Sequence, residues 1–213
     1  MKKSILIAMV LTLLTAVLNA GASLYPIGSI PDGSPVGVSF TGTYDQAAPG
    51  ATVSGLTVDL SISGGYNGNL YAYLVSPNGT MVLLLNQPGA TISNPFGYAG
   101  SGFNVTLSDA AAGSIQTTPE TAGSTFSGNY QAAGTLANFN GSVADGNWTL
   151  FFADETAGGG QAILNGWSLN ITAVPEPANI ALVIFGMGFV GFGIIRYFRN
   201  ARKSALRSAE IIA

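Results

Sequence analysis

In several stretches between residues 24 and 174 the apolar side chains recur at every second position. Leu56, Val58, Leu60 and Ile62 alternate with Thr57, Asp59 and Ser61; Phe103, Val105 and Leu107 repeat the pattern, as do Trp148, Leu150 and Phe152, then Trp167, Leu169 and Ile171. A period of two puts successive side chains on opposite faces of an extended chain, one face buried and one wet. Gly64-Gly65-Tyr66-Asn67-Gly68 interrupts the pattern as a turn, and Ser76-Pro77-Asn78-Gly79 joins residues 70–75 to residues 80–85 as a hairpin. Short strands and frequent Gly-rich turns without helical periodicity predict an all-β body, an antiparallel jelly-roll-like β-sandwich. The alternation of Trp148 and Trp167 with Leu150 and Leu169 places both indoles in its core.

Charge is segregated along the 213-residue chain. Lys2 and Lys3 stand at one end and Arg196, Arg199, Arg202, Lys203 and Arg207 at the other, while nine of the ten acidic residues lie between residues 23 and 177. A body carrying −9 with no Lys or Arg cannot hold nucleic acid, because it has no cation to offer a phosphate. Its carboxylates must be met by backbone amides, hydroxyls, carboxamides or a bound cation. Cysteine and histidine are absent, which removes disulfides, thiolate metal sites and the commonest general base.

The two ends read as targeting segments. Lys2-Lys3, an apolar run over residues 5–18 and the small residues Ala20-Gly21-Ala22 form the layout of a signal peptide, residues 1–22, cleaved after Ala20 or Ala22. At the other end Val174-Pro175-Glu176-Pro177 precedes residues 178–195, eighteen positions without a charge. As a helix that run measures about 27 Å, close to the hydrocarbon thickness of a bilayer. The basic cluster Arg196, Arg199, Arg202 and Lys203 follows within residues 196–203 and orients the span, with its basic end and the tail 204–213 in the cytoplasm. The expected architecture is therefore a signal helix, a sandwich over residues 23–174 and a C-terminal transmembrane helix.

Pro175-Glu176-Pro177, the single apolar span and the Arg-rich end together resemble the PEP-CTERM sorting signal of Gram-negative bacteria, over residues 175–203. The resemblance implies a substrate of an exosortase-like membrane protease that cuts near the triplet. The product would pass to the cell surface or the exopolysaccharide matrix.

The body resembles a second family. Gly68-Asn69-Leu70, continuing through Leu74-Val75-Ser76-Pro77-Asn78-Gly79-Thr80, is similar to the G-D-L…L-x-S-P-x-G-T core of the proprotein convertase P domain, with Asn69 where that motif has Asp. Phe139-Asn140-Gly141, Gly146-Asn147-Trp148-Thr149-Leu150, Asp154 and Trp167-Ser168-Leu169 are similar to its closing half. The resemblance implies an eight- or nine-stranded jelly roll, and it lends support to a structural calcium ion.

Catalysis finds little to work with in this body. Nucleophilic chemistry lacks a His or Lys base, and phosphoryl transfer lacks a cation to stabilise the moving charge. A carboxylate pair of the glycosidase kind would have to come from Asp145, Asp154 and Glu155, yet adjacent strand residues point to opposite faces. The chain is therefore read as non-enzymatic. Asp145, Asp154 and Glu155 are instead candidate calcium ligands in oxygen-rich loops, although the strand between Asp145 and Asp154 keeps one ion from using both. The function expected is that of an exported surface or matrix protein with a structural or adhesive sandwich. The alternative is a carbohydrate-binding module for exopolysaccharide, using Tyr66, Tyr71 or Tyr73 as stacking surfaces.

Overall fold

A computed structural model describes residues 18–19, 25–175 and 177–212, and the chain divides into two units, Met1–Val174 and Pro175–Ala213. The first unit is all-β. Its strands are β1 (Leu18–Asn19), β2 (Gly28–Ile30), β3 (Ser34–Tyr44), β4 (Thr52–Gly64), β5 (Leu70–Val75), β6 (Met81–Asn86), β7 (Phe103–Leu107), β8 (Phe126–Tyr130), β9 (Gly146–Asp154) and β10 (Ala162–Val174). One sheet has the order β1-β10-β4-β7-β8, with β2 also on β10, and the other has the order β3-β9-β5-β6. Neighbours run antiparallel except β7 and β8, which pair in parallel from Phe103↔Phe126 to Leu107↔Tyr130. The expected purely antiparallel sandwich is thus corrected at this edge. A chain that leaves β7 through a long surface loop re-enters beside it in the same direction.

The long strands follow from the alternation. β4 buries Val53, Leu56, Val58, Leu60 and Ile62, and β10 buries Leu164, Trp167, Leu169 and Ile171 on the same side. Against them the second sheet brings Leu74, Trp148, Leu150 and Phe152, all fully buried. Both tryptophans lie in this layer. Trp148 Nε1 donates to the Ala144 carbonyl at 3.0 Å and its ring meets Phe139 edge to face at 5.2 Å. Trp167 Nε1 donates to the Pro26 carbonyl at 3.0 Å. The β5–β6 hairpin closes as expected: Gly79 takes φ +85° and donates to the Ser76 carbonyl, and the Ser76 hydroxyl accepts from the Thr80 amide at 3.1 Å.

The expected signal peptide lies outside the described residues except for Leu18 and Asn19. These two are not helical, because they add to the edge of β10 opposite Ala173 and Thr172. In the second unit a single helix, α1 (Pro177–Ile212), runs through the uncharged stretch, the basic cluster and most of the tail without a break. Among the described residues no helix is long and apolar enough to cross a membrane. The expected C-terminal transmembrane helix is therefore not supported by the structure and rests on the uncharged sequence run 178–195 alone.

Candidate functional site

The expected calcium ligands do not converge. Asp145 and Asp154 flank or end β9, about 30 Å apart at the usual strand rise. Asp145 Oδ1 accepts from the Ala47 amide at 2.9 Å, which ties the β3–β4 loop to the start of β9. Asp154 is fully buried while Glu155 is exposed, so the adjacent pair faces apart, as strand geometry requires. No group of three or more acidic residues capable of holding a metal occurs among the described residues.

Asp154 has unusual surroundings even so. It closes β9 in register with both Leu70 of β5 and Ser34 of β3. Oδ1 accepts from the Thr156 amide at 3.1 Å, and Oδ2 is buried with no hydrogen-bond partner. Burial pushes this carboxyl above the usual carboxylate range and the charge of Asp32 adds to the rise, against the pull of the Thr156 and Gly33 amides and the Asn69 side chain. Asn69 also donates through Nδ2 to the Thr156 carbonyl at 2.8 Å, and its own carbonyl receives the Glu155 amide. The Asn-for-Asp difference at position 69 thus supplies a donor that clasps the loop after β9. A second carboxylate would have repelled Asp154.

A second carboxyl of this kind escaped the sequence reading. Glu120 Oε2 accepts from Asn67 Nδ2 at 2.7 Å, and Oε1 is buried and unpartnered. Asn67 also brackets Gly102, accepting from its amide and donating to its carbonyl. Burial raises the Glu120 pKa, opposed by Asn67 and the Gly100 amide. One turn, Asn67–Asn69, therefore holds two surface loops through two carboxamides. Two long-range contacts of this sort leave no periodic trace in a sequence.

The tyrosines proposed as sugar platforms are engaged with other rings. Tyr73 stacks on Phe151 with centroids 4.6 Å apart and 14° between planes, and Tyr71 meets Tyr73 edge-on at 6.2 Å. The stacked face of Tyr73 is covered by Phe151. Tyr66 lines a small depression with Asn69, Phe96, Thr156 and Gly158 at the Asp154 end. In the processing motif, Val174 is the last residue of β10 and partly exposed, Pro175 follows it, and Pro177 opens α1; Glu176 lies outside the described residues. In the basic cluster, Arg196, Arg199, Arg202 and Lys203 all stand on α1, Arg196 directly after the apolar run.

A different surface is more extensively built. The outer face of the larger sheet is paved with small polar side chains arranged in cross-strand rows. Ser168, Asp59, Thr106 and Asn129 form one row across β10, β4, β7 and β8, and Gly166, Ser61, Asn104 and Ser127 form the next. Asp59 sits at the centre and is held by three donors: Thr106 Oγ1 at 2.6 Å to Oδ1, and Ser168 Oγ and Asn170 Nδ2 each at 3.0 Å to Oδ2.

These features define a two-sheet β-sandwich whose acidic groups are occupied in fixing loops and rows of hydroxyls. The chain belongs to the proprotein convertase P-domain family, whose pattern matches residues 53–171, more than half its length. No curated protein matches it significantly. Among solved structures it is similar to the serine protease of Aeromonas sobria in complex with its chaperone, at 18% identity and a TM-score of 0.47 over 76% of this chain and 28% of the protease. It is also similar to that protease alone, at 17% identity and 0.46 over 74% and 27%. The chain thus spans little more than a quarter of the length of these proteases.

Proposed function

We propose that this protein is a non-catalytic, exported β-sandwich of the bacterial surface or extracellular matrix, with a structural or adhesive role, delivered there as the substrate of an exosortase-type membrane protease. The observation that carries the reading is the junction after β10. The sandwich ends at Val174, the Pro-Glu-Pro triplet follows, and a helix begins whose side chains Leu182, Phe185, Phe189, Val190, Phe192 and Ile195 are all exposed. Successive residues of a helix step by about 100°, so these positions together with the exposed Ile184, Met187 and Ile194 put apolar side chains all round the helix. We read this surface as one that lipid would cover, with Arg196 and Arg199 toward the cytoplasm, although the described helix falls short of a membrane span.

The non-catalytic part of the reading is supported by a body without His, Lys or Arg, and by the separation of Asp145, Asp154 and Glu155. Of the three expected calcium ligands only Asp154 has a buried oxygen without a partner, Oδ2, and Asp32 is near it. A proton satisfies the same oxygen, and melting in EDTA against millimolar calcium at neutral pH separates the two. Equal melting temperatures would remove the ion.

Mass spectrometry of the surface-released protein tests the sorting. The expected product ends close to Pro175. A released chain that still carries Arg196 to Arg207 would overturn the sorting reading.

A further inference from the structure

The polar outer face of the larger sheet is shaped as well as paved. Ser54, Thr57, Ser108, Asn140 and Asn170 contribute to a depression of about 430 Å³ whose raised side is the 3-10 turn Leu136–Phe139. Asp109 fixes that turn, with Oδ1 accepting from the Leu136 amide at 2.9 Å and Oδ2 from the Ala137 amide at 2.7 Å. A second depression of about 370 Å³ is lined by Asp59, Ser61, Asn104, Thr106, Asn129 and Ser168. The two meet at the Asn170–Asp59 hydrogen bond, since Asn170 lines the first and Asp59 the second. Together they make one shallow trough along β4.

Its chemistry narrows the occupant. Both carboxylates in the lining are already engaged, Asp59 by three side-chain donors and Asp109 by two amides. The polar groups the trough offers outward are hydroxyls and carboxamides, which donate and accept equally, set beside small apolar groups such as Ala110 and Ala137. An anionic chain meets a body of −9 with no cation and is repelled. A protein partner needs an apolar centre to its interface, and an amphipathic helix needs a greasy groove; the large apolar residues of this lining, Leu56, Leu60, Val105, Trp167 and Ile171, are all buried. A long, open trough that holds no cation, and whose free polar groups donate and accept, suits an uncharged polymer of hydroxyl groups. We infer that the outer face of the larger sheet, along Thr57, Asp59, Ser61, Asn104 and Asn170, binds an uncharged polysaccharide chain. The inference gives the adhesive role proposed above a ligand class, and depends on that reading only for where the polymer is met.

Affinity electrophoresis of the full chain in a neutral detergent, through gels containing dextran, galactomannan or xyloglucan and separately alginate, tests it. Retardation by at least one neutral polymer and none by alginate is expected. The double variant Asn104→Ala/Asn140→Ala removes one exposed carboxamide from each depression and breaks no hydrogen bond of the fold. It should weaken that retention at least about tenfold, the equivalent of losing one or two hydrogen bonds. A Tyr71→Ala variant should bind as the parent does. No neutral polymer retarded, or binding lost in Tyr71→Ala but kept in the double variant, overturns the inference. Neither result bears on the sorting reading, which fails only on the C-terminus of the released protein.

Discussion

Tyr25 is built into the sandwich through a missing side chain. Its ring lies 4.4 Å from the Trp167 ring and is 6% exposed, in a notch where Gly42 of β3 has no Cβ. A Cβ at Gly42 would stand 1.8 Å from Tyr25 Cδ1, 2.4 Å from Cγ and 2.6 Å from Cε1, so in a Gly42→Ala variant the ring must leave. Expelling an aromatic side chain exposes about 200 Å², or about 5 kcal/mol at 25 cal/mol per Å². The Pro26 carbonyl bond to Trp167 goes with it, about 1 kcal/mol. Residues 25–27 then regain roughly 1 kcal/mol of backbone entropy each, so the net cost is about 3 kcal/mol. For a unit of this size that lowers Tm by about 6–12 °C. Thermal unfolding with acrylamide quenching of tryptophan fluorescence reads both consequences, because Trp167 becomes accessible. The decisive form is a double-mutant cycle: once Tyr25→Ala has emptied the notch, adding Gly42→Ala should cost almost nothing further. Full additivity of the two would refute the notch.

Tyr25→Phe should be neutral or stabilise by up to about 1 kcal/mol in urea unfolding, since the Tyr25 hydroxyl is buried without a partner. Burial, with Tyr44 and Asp45, pushes the Tyr25 pKa up to about 12. The parent therefore keeps this contribution below pH about 10, where the unfolded phenol stays neutral, and loses it as pH rises toward 12; Tyr25→Phe should flatten that decline. Asp154 and Glu120 also have raised pKa values, so the folded state binds protons more tightly than the unfolded one. In EDTA, stability should climb as pH falls through the raised values and level off below about pH 4, and the pair Asp154→Asn/Glu120→Gln should remove most of that climb. Leu150→Ala in the centre of β9 opens a cavity between the sheets and should cost about 2–5 kcal/mol by denaturant midpoint with m unchanged.

What the sequence disclosed follows from where each strand sits. β4, β5, β9 and β10 are central, with one dry face, and their alternation is legible from Leu56 to Ile171. β8 reads Phe-Ser-Gly-Asn-Tyr, and Ser127, Gly128 and Asn129 are all exposed on the edge of its sheet. An edge strand with so little burial carries no period, and its parallel pairing has no local signature at all. β3 does alternate, with Val36, Val38, Phe40 and Tyr44 on every second position, and only Gly42 stands in the series without a side chain, at the Tyr25 notch. The acidic residues were visible, but their roles depend on partners far along the chain. Asp59 meets groups 47, 109 and 111 positions away, and Glu120 meets Asn67 across 53.

The absence of cations from the body links these findings. A buried carboxylate that has no Lys or Arg to pair with must be held by amides and hydroxyls, or give up its charge to a proton. Asp59, partly buried, and Asp109, exposed, are likewise held by such donors, drawn from two strands and from a turn, and the hydrogen bonds that satisfy them also fix the floor and wall of the trough. Asp154 and Glu120 each leave one oxygen unpartnered and are driven toward the neutral form. A lysine placed beside either pair would substitute an ion pair for the donor network. On the outer face this has a direct consequence: Thr106→Lys would trade the Thr106–Asp59 hydrogen bond for an ion pair, with no net positive charge on the row and the body still strongly anionic. Retention by alginate should then stay absent in the same gels, as is expected of the parent, and its appearance would mean that a single local cation, and not the charge of the whole body, selects the polymer.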